Sequence, residues 1–137
     1  MATVELRFSA LPEHVRTARL VAAAVARRAG VGESVLDEVR LAVGEACSRA
    51  VGLHRRSGVD APVRVVLVEQ EQRFLIEVGD GVGGDLPTPE LTEDDSSADA
   101  MGLAVISGLV DDVDVSKDDH GGVIRMSWPV APHPVLP

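Results

Sequence analysis

The sequence predicts an α/β domain, an α+β two-layer sandwich in which helices cover one face of a mixed β-sheet. Strand and helix periodicities follow one another in the order β-α-α-β-β, then a loop, then α-β-β. The chain has 137 residues, a length that suits one hydrophobic core. Aromatic residues make up only 2% of it, so the core must consist mainly of Val, Leu, Ile and Ala.

The first half of the chain predicts one strand and two helices. Residues 4–8 alternate between apolar and polar side chains, which is typical of a half-buried strand. Pro12 suits the first turn of a helix, in which apolar residues recur three and four positions apart until Gly30 ends it. A second helix with the same periodicity begins near Glu33 and runs to about His54.

The second half predicts four strands and one short helix. Two strands, Val63–Glu69 and Phe74–Val78, are joined by a short polar connection. Met101–Val110 has the pattern of a short helix. Two further strands, Val113–Val115 and Val123–Trp128, follow it and are separated by a turn that contains two glycines.

Composition divides the chain into a domain, an acidic loop inside it and a tail. Residues 85–99 contain two prolines, six acidic residues and no Lys or Arg, which predicts a mobile acidic loop. The final nine residues contain four prolines and are predicted to fray. We therefore expect one domain over residues 1–130 and a flexible Pro-rich tail over residues 131–137.

Charge and hydropathy exclude several classes of partner. The net charge of −9 argues against direct nucleic-acid binding, because such surfaces neutralise phosphates with basic residues. The acidity would suit docking on a basic protein, or it serves solubility alone. No apolar run reaches the ~20 residues of a membrane-spanning helix. The single cysteine, Cys47, forms no disulfide or CxxC pair, so the sequence predicts a cytoplasmic protein without a membrane partner.

Two places in the chain carry residues suited to chemistry. Glu45 and Arg49 lie one helical turn apart, off the apolar stripe, where Glu45 could act as a general base. The spacing alone favours an ordinary surface ion pair. The glycine-rich loop around Asp80 follows a strand and could approach a phosphate or a nucleobase amine, although most such loops are only turns.

The succession of these motifs is more specific than any one of them. It resembles the histidine-kinase-like ATPase fold (GHKL, or Bergerat-type), and within it the bacterial anti-sigma factors and serine-protein kinases of the sporulation and stress-response type. The resemblance covers nearly the whole chain. The motifs that carry it are Phe8-Ser9-Ala10-Leu11, Ala18-Arg19, Glu45-Ala46, Asp80, Met101-Gly102, Asp111-Asp112-Val113 and Gly121-Gly122.

The resemblance implies roles for individual residues in binding ATP or ADP and in phosphate transfer. Glu45 matches the base that activates a serine hydroxyl of an anti-anti-sigma protein. Asp80 matches the residue that binds adenine, and Gly81, Gly83 and Gly102 match the glycines that flank the phosphates.

The same resemblance implies protein partners. The family binds a sigma factor and an anti-anti-sigma protein on overlapping surfaces near the first helix. Arg19 matches a contact arginine there, although by itself it reads as a solvated helix charge. A homodimer formed through the sheet side is implied as well.

Four departures from the family pattern fall in the nucleotide site. Arg49 stands where the family has a metal-binding Asn, and an arginine cannot coordinate Mg²⁺. The loop after Asp80 is one residue short, Ala100 replaces a glycine, and the loop over residues 85–99 is acidic where kinases of the family carry positive charge. We therefore expect weak nucleotide binding and a doubtful Mg²⁺ site, with Arg49 able to contact a phosphate directly.

The resulting prediction is an anti-sigma factor that binds and inhibits an RNA polymerase sigma factor and is countered by an anti-anti-sigma protein, with the kinase step lost or weakened. Two alternatives stay open. One is an active serine/threonine kinase that phosphorylates its antagonist. The other is a nucleotide-sensing module without a sigma partner.

Overall fold

The computed structural model describes residues 2–82 and 102–130. Eight elements lie in these ranges, and the third helix (α3) is described over residues 102–109. The others are β1 (Thr3–Phe8), α1 (Glu13–Arg28), α2 (Glu33–Ser57), β2 (Val63–Glu69), β3 (Arg73–Gly79), β4 (Asp112–Asp118) and β5 (Gly121–Pro129). No helix within the described ranges is both long enough and apolar enough to cross a membrane.

The five strands form one sheet in the order β1-β2-β3-β5-β4. Every neighbouring pair is antiparallel, so the expectation of a mixed sheet was wrong. The connection from β3 through α3 does return β4 in the same direction as β3. However, β5 pairs with both strands and lies between them, so the two parallel strands never become neighbours.

The helices cover one face of this sheet, as the fold class predicted. Helices α1 and α2 pack against each other and against β2 and β3. Their apolar stripes meet the inward-facing residues of the strands in a single core of mostly aliphatic side chains. The largest fully buried side chains include Trp128, Phe74, Leu36, Leu67, Ile76, Ile106 and Met126.

Helix α2 runs one turn past its predicted end and stops in a Schellman motif. The N–H of Val59 donates to the carbonyl of His54 at 2.9 Å, and the N–H of Gly58 donates to that of Arg55 at 3.4 Å. Gly58 is left-handed, with φ of 65°. Basic residues in the last turn also favour the extra length, because they complement the partial negative charge at a helix C-terminus.

Strand β4 also exceeds its prediction, since it spans Asp112–Asp118 where only Val113–Val115 was expected. It is an edge strand with aspartates on alternate positions, and its pairing with β5 extends beyond the apolar residues that marked it in the sequence. The predicted acidic loop over residues 85–99, the start of the predicted helix at Met101 and the predicted tail over residues 131–137 lie outside the described residues.

Candidate nucleotide-binding site

Asp80 directly follows β3 and ties the end of that strand to the start of β5. Its carboxylate Oδ1 accepts the backbone N–H of Val82 at 2.9 Å and that of Gly122 at 3.1 Å. Its own backbone N–H donates to the Gly122 carbonyl at 2.9 Å. An ionised carboxylate has about four lone-pair positions, so Asp80 retains acceptor capacity for a further donor such as an adenine amine.

Two glycines at the start of β5 make room for Asp80. Gly121 has φ of 148°, and a β-carbon there would collide with the backbone carbonyl of Asp80. A β-carbon at Gly122 would lie 2.7 Å from the Asp80 Oδ2. Gly121 is therefore a steric requirement of the Asp80 backbone and Gly122 of the Asp80 carboxylate, and Gly122 follows Asp80 by 42 residues in the chain.

His54 is hydrogen-bonded to the segment that follows Asp80, and the sequence analysis assigned it no role. It is fully buried on α2. Its Nε2 accepts the N–H of Gly81 at 2.8 Å, and its Nδ1 lies 2.8 Å from the carbonyl oxygen of Ala61. The only signal in the sequence was a histidine at the end of an apolar helix stripe, which commonly marks nothing more than a buried side chain.

Glu45 of α2 lies beside Gly102 of α3. A β-carbon at position 102 would be 3.3 Å from the Glu45 Oε2, so the carboxylate reaches the first described residue of that helix. Glu45 is half-buried on the flank of α2. The structure thus brings together two predicted site residues that are more than fifty positions apart in the chain. Gly83, a third residue of the predicted site, lies outside the described residues.

Arg49 and Asp80 line one small cavity between α2 and the sheet. Its volume is about 80 Å³, and Lys117 of β4 also lines it. The Nε atom of Arg49 is buried. Arg49 therefore brings a fixed positive charge to the cavity that Asp80 lines.

The described residues offer no cluster of three or more His, Cys, Asp or Glu side chains able to hold a metal ion. An arginine has five N–H donors and no acceptor, so Arg49 cannot supply a metal ligand. Arginine does suit phosphate oxygens, to which it donates two parallel hydrogen bonds. The donor set at Arg49 therefore fits an anionic nucleotide better than it fits Mg²⁺.

Arg19 lies on the exposed side of α1. Its stem crosses Gly44 of α2, where a β-carbon would be 3.0 Å from the Arg19 Cδ. Gly44 directly precedes Glu45 in the chain. Two large apolar side chains, Leu20 on α1 and Leu41 on α2, are also more than half exposed, at 58% and 51%. The outer surface of the two helices thus carries apolar side chains near a guanidinium.

A larger cavity, of about 400 Å³, is lined by Asp80 and by the adjoining end of β3. Arg7 and Arg64, which face each other on β1 and β2, line it together with Asp80. Both arginines also donate to Glu5 Oε1, at 2.7 and 2.8 Å. These two hydrogen bonds, that from Arg7 first, hold the pKa of Glu5 below its ordinary value.

Comparison with known proteins places this geometry in a family. Residues 8–128 match the model of the histidine kinase-like ATPase domain. The match spans every element from the end of β1 into β5, including Glu45, Arg49, Asp80 and Gly102. The chain belongs to the histidine kinase-like ATPase domain family.

Within this family the chain is similar to the serine-protein kinases RsbW of Gram-positive bacteria. The RsbW of Bacillus pumilus is 32% identical over 127 residues, which cover 84% of this chain and 78% of that protein. The RsbW of Listeria monocytogenes is 29% identical over 135 residues, covering 91% and 86%. These relatives confirm the resemblance that the motif order predicted.

A solved structure agrees with the fold. The RsbU and RsbW domains of a Mycobacterium tuberculosis protein superpose with a TM-score of 0.69 and 15% sequence identity. The match covers 99% of this chain and 35% of that longer one. At this level of identity the likeness extends to the fold, and it confirms the predicted histidine-kinase-like architecture.

Proposed function

We propose that this chain is an anti-sigma factor of the partner-switching type. It binds and inhibits an RNA polymerase sigma factor, and an anti-anti-sigma protein releases that sigma factor by competing for the same surface. The main support is the similarity to RsbW over 84% of the chain. A homodimer formed through the sheet side is part of the same proposal.

The nucleotide site supports a weakened kinase step. Asp80 would accept the adenine amine, and Arg49 would contact a phosphate. Glu45, beside Gly102, would accept the proton of an attacking serine hydroxyl. Phosphoryl transfer depends mainly on positioning and on a metal that neutralises the developing charge. With Arg49 in place of a metal ligand, we infer that binding of the antagonist persists while phosphate transfer is slow or absent.

The alternative of an active kinase has its own support. Glu45 is present, half-buried and beside Gly102, so the acid–base group of the family is retained. An arginine directly on the phosphates could replace part of the charge that Mg²⁺ would neutralise. The two readings differ in one measurable quantity, which is transfer of phosphate to the antagonist.

Partner binding is tested by transcription and co-purification. The protein should inhibit transcription by one sigma factor of its source organism, and Arg19→Glu should weaken the complex about tenfold or more by reversing a contact charge. Arg28→Glu is the matched control, because Arg28 is also exposed on α1 but nine residues away. Failure to retain any sigma factor would refute the proposal and favour a nucleotide-sensing module.

Kinase activity is tested with labelled ATP and a serine-bearing anti-anti-sigma protein. We expect no labelling by the wild-type chain, whether Mg²⁺ is present or absent. Arg49→Asn restores the amide oxygen of the family site and should introduce Mg²⁺-dependent nucleotide binding. Labelling by the wild type that is lost in Glu45→Ala would establish the active-kinase alternative instead.

A further inference from the structure

We infer that His54 is a positioning residue that holds the Asp80–Gly81 backbone, and thereby the Asp80 carboxylate, in the orientation in which Asp80 lines the cavity it shares with Arg49. The inference deepens the proposed function, since a bound nucleotide is what Asp80 would meet there. It rests on contacts within the described residues, and none of them depends on a ligand.

The two hydrogen bonds of His54 define one tautomer. The Ala61 carbonyl oxygen can only accept, so the Nδ1 at 2.8 Å must carry the proton. The backbone N–H of Gly81 can only donate, so the Nε2 at 2.8 Å must offer its lone pair. A neutral imidazole satisfies both partners at once, and the His54 ring itself is fully buried, so losing either bond would leave a ring nitrogen without a partner.

The backbone around His54 is shaped to make both bonds. The left-handed Gly58 ends α2, and three residues further on the Ala61 carbonyl oxygen lies at the His54 Nδ1. Gly81 fits closely on the same ring, since a β-carbon there would be 3.6 Å from the His54 Cε1 and 3.2 Å from the Ala61 Cβ. The end of α2, the segment after it and the loop after β3 therefore meet at one side chain.

Asp80 is held by this arrangement on both sides. Gly81, the next residue, is held by His54, while Gly122 holds the Asp80 carboxylate and backbone N–H from β5. If the bond to Gly81 were lost, a part-buried N–H would lose its acceptor, and the loop would be free to shift towards another one. The Asp80 carboxylate would move with it, because the two residues are adjacent.

Two amide variants separate the two bonds of His54. The Oε1 of glutamine in His54→Gln reaches the position of Nε2 and can accept from Gly81. The Nδ2 of asparagine in His54→Asn reaches only the position of Nδ1 and can donate to Ala61. Both variants lose the ring and bury a neutral amide, so they are matched for polarity and differ in size by one methylene group. His54→Leu removes both hydrogen bonds.

The first test uses NMR of the full chain without any ligand. Proton exchange and ¹⁵N–¹H shifts are followed at Gly81, Val82 and Gly122, since the last two donate to the Asp80 carboxylate. We expect His54→Asn to perturb all three amides and to speed the exchange of Gly81 about tenfold or more, with His54→Gln close to wild type. Unchanged Val82 and Gly122 amides in His54→Asn would overturn the inference.

The second test measures ADP affinity by calorimetry on the same variants. We expect His54→Asn and His54→Leu to weaken ADP binding about tenfold or more, and His54→Gln to stay within about threefold of wild type. Equal losses in the Gln and Asn variants would assign His54 a packing role only. If the wild type does not bind ADP, the nucleotide part of the proposed function fails, and the NMR test alone decides the role of His54.

Discussion

At the scale of single residues, the buried groups of α2 show how strongly environment changes chemistry. Cys47 and His54 lie on the same apolar stripe, and both are fully buried. Cys47 packs as a small apolar side chain, whereas His54 carries two hydrogen bonds to distant backbone groups. Burial is therefore common to both residues, and only the neighbouring polar atoms distinguish a packing residue from a positioning one.

Cys47 is expected to be unreactive in the folded protein. Burial raises the pKa of its thiol to about 12, and the thiolate is the form that reacts. Iodoacetamide at pH 8 should therefore label Cys47 slowly in the native state and readily in denaturant, as measured by mass spectrometry. Rapid labelling of the native protein would show that the α2 core opens locally.

The same shift predicts a dependence of stability on alkaline pH. The folded pKa of Cys47 lies above its unfolded value of 9.0, so the neutral thiol favours the folded state. This contribution is fully present below pH 9 and is lost as pH rises towards 12. Urea unfolding of wild type and Cys47→Ala should show a decline with pH that is smaller in the variant.

Gly121 is a residue at which even a single added methyl group should lower the free energy of unfolding substantially. Its φ of 148° is a region that side chains rarely adopt, and a β-carbon would also meet the Asp80 carbonyl. Strain of this kind costs roughly 1–3 kcal/mol. We expect Gly121→Ala to lower the free energy of unfolding by at least about 2 kcal/mol in urea titrations. A change under about 0.5 kcal/mol would mean that the β4–β5 turn adapts easily.

At the scale of elements, the C-terminal end of α2 contributes to stability through the left-handed Gly58. Gly58 has no neighbour within 4 Å of a β-carbon, so Gly58→Ala would add conformational strain without a clash. A left-handed residue other than glycine costs roughly 1–2 kcal/mol, and we expect a loss of about 1 kcal/mol in unfolding free energy. Faster exchange of the Gly81 amide in this variant would show that the helix end transmits its geometry through His54.

Helix α3 contains a glycine at which substitution by alanine should raise the free energy of unfolding, and this variant serves as a control for Gly58→Ala and Gly121→Ala. Gly108 is exposed, has space for a β-carbon and lies within a helix. Alanine lowers the conformational freedom of the unfolded chain at such positions, so Gly108→Ala should stabilise the protein by about 0.5 kcal/mol. Urea unfolding measured beside Gly121→Ala and Gly58→Ala would then separate steric from conformational effects. A loss of stability at Gly108 would contradict the helical assignment there.

At the scale of the whole molecule, the net charge of −9 bears on association. Under the proposed function, an acidic protein meets a sigma factor that itself binds DNA and carries basic surfaces. Complementary charge accelerates encounter, and salt screens it over about 10 Å at 0.1 M. We expect the association rate to fall about tenfold or more between low salt and 0.5 M salt in stopped-flow measurements. A rate independent of salt would assign the acidity to solubility.

Much of the architecture could be predicted from local pattern. The bounds of β2 were predicted to the residue, and the starts of both long helices to within about one position. These features could be predicted because apolar periodicity, and the glycines and prolines that begin or end an element, are local properties of the sequence. The order of motifs around Glu45, Asp80 and Gly102 was sufficient to predict the family, which the relatives confirm. The roles of these residues remain predictions.

Local sequence pattern was therefore sufficient to predict the order of the elements, their apolar faces and the family. Tertiary structure decided the insertion of β5 between β3 and β4, the contact of Glu45 with Gly102 and the hydrogen bonds around Asp80. The physical reason is sequence separation. Periodicity records which side of an element is buried, whereas the bonds from His54 to Gly81 and from Gly122 to Asp80 join residues 27 and 42 positions apart. Such pairs exist only once the chain has packed, and so no local pattern encodes them.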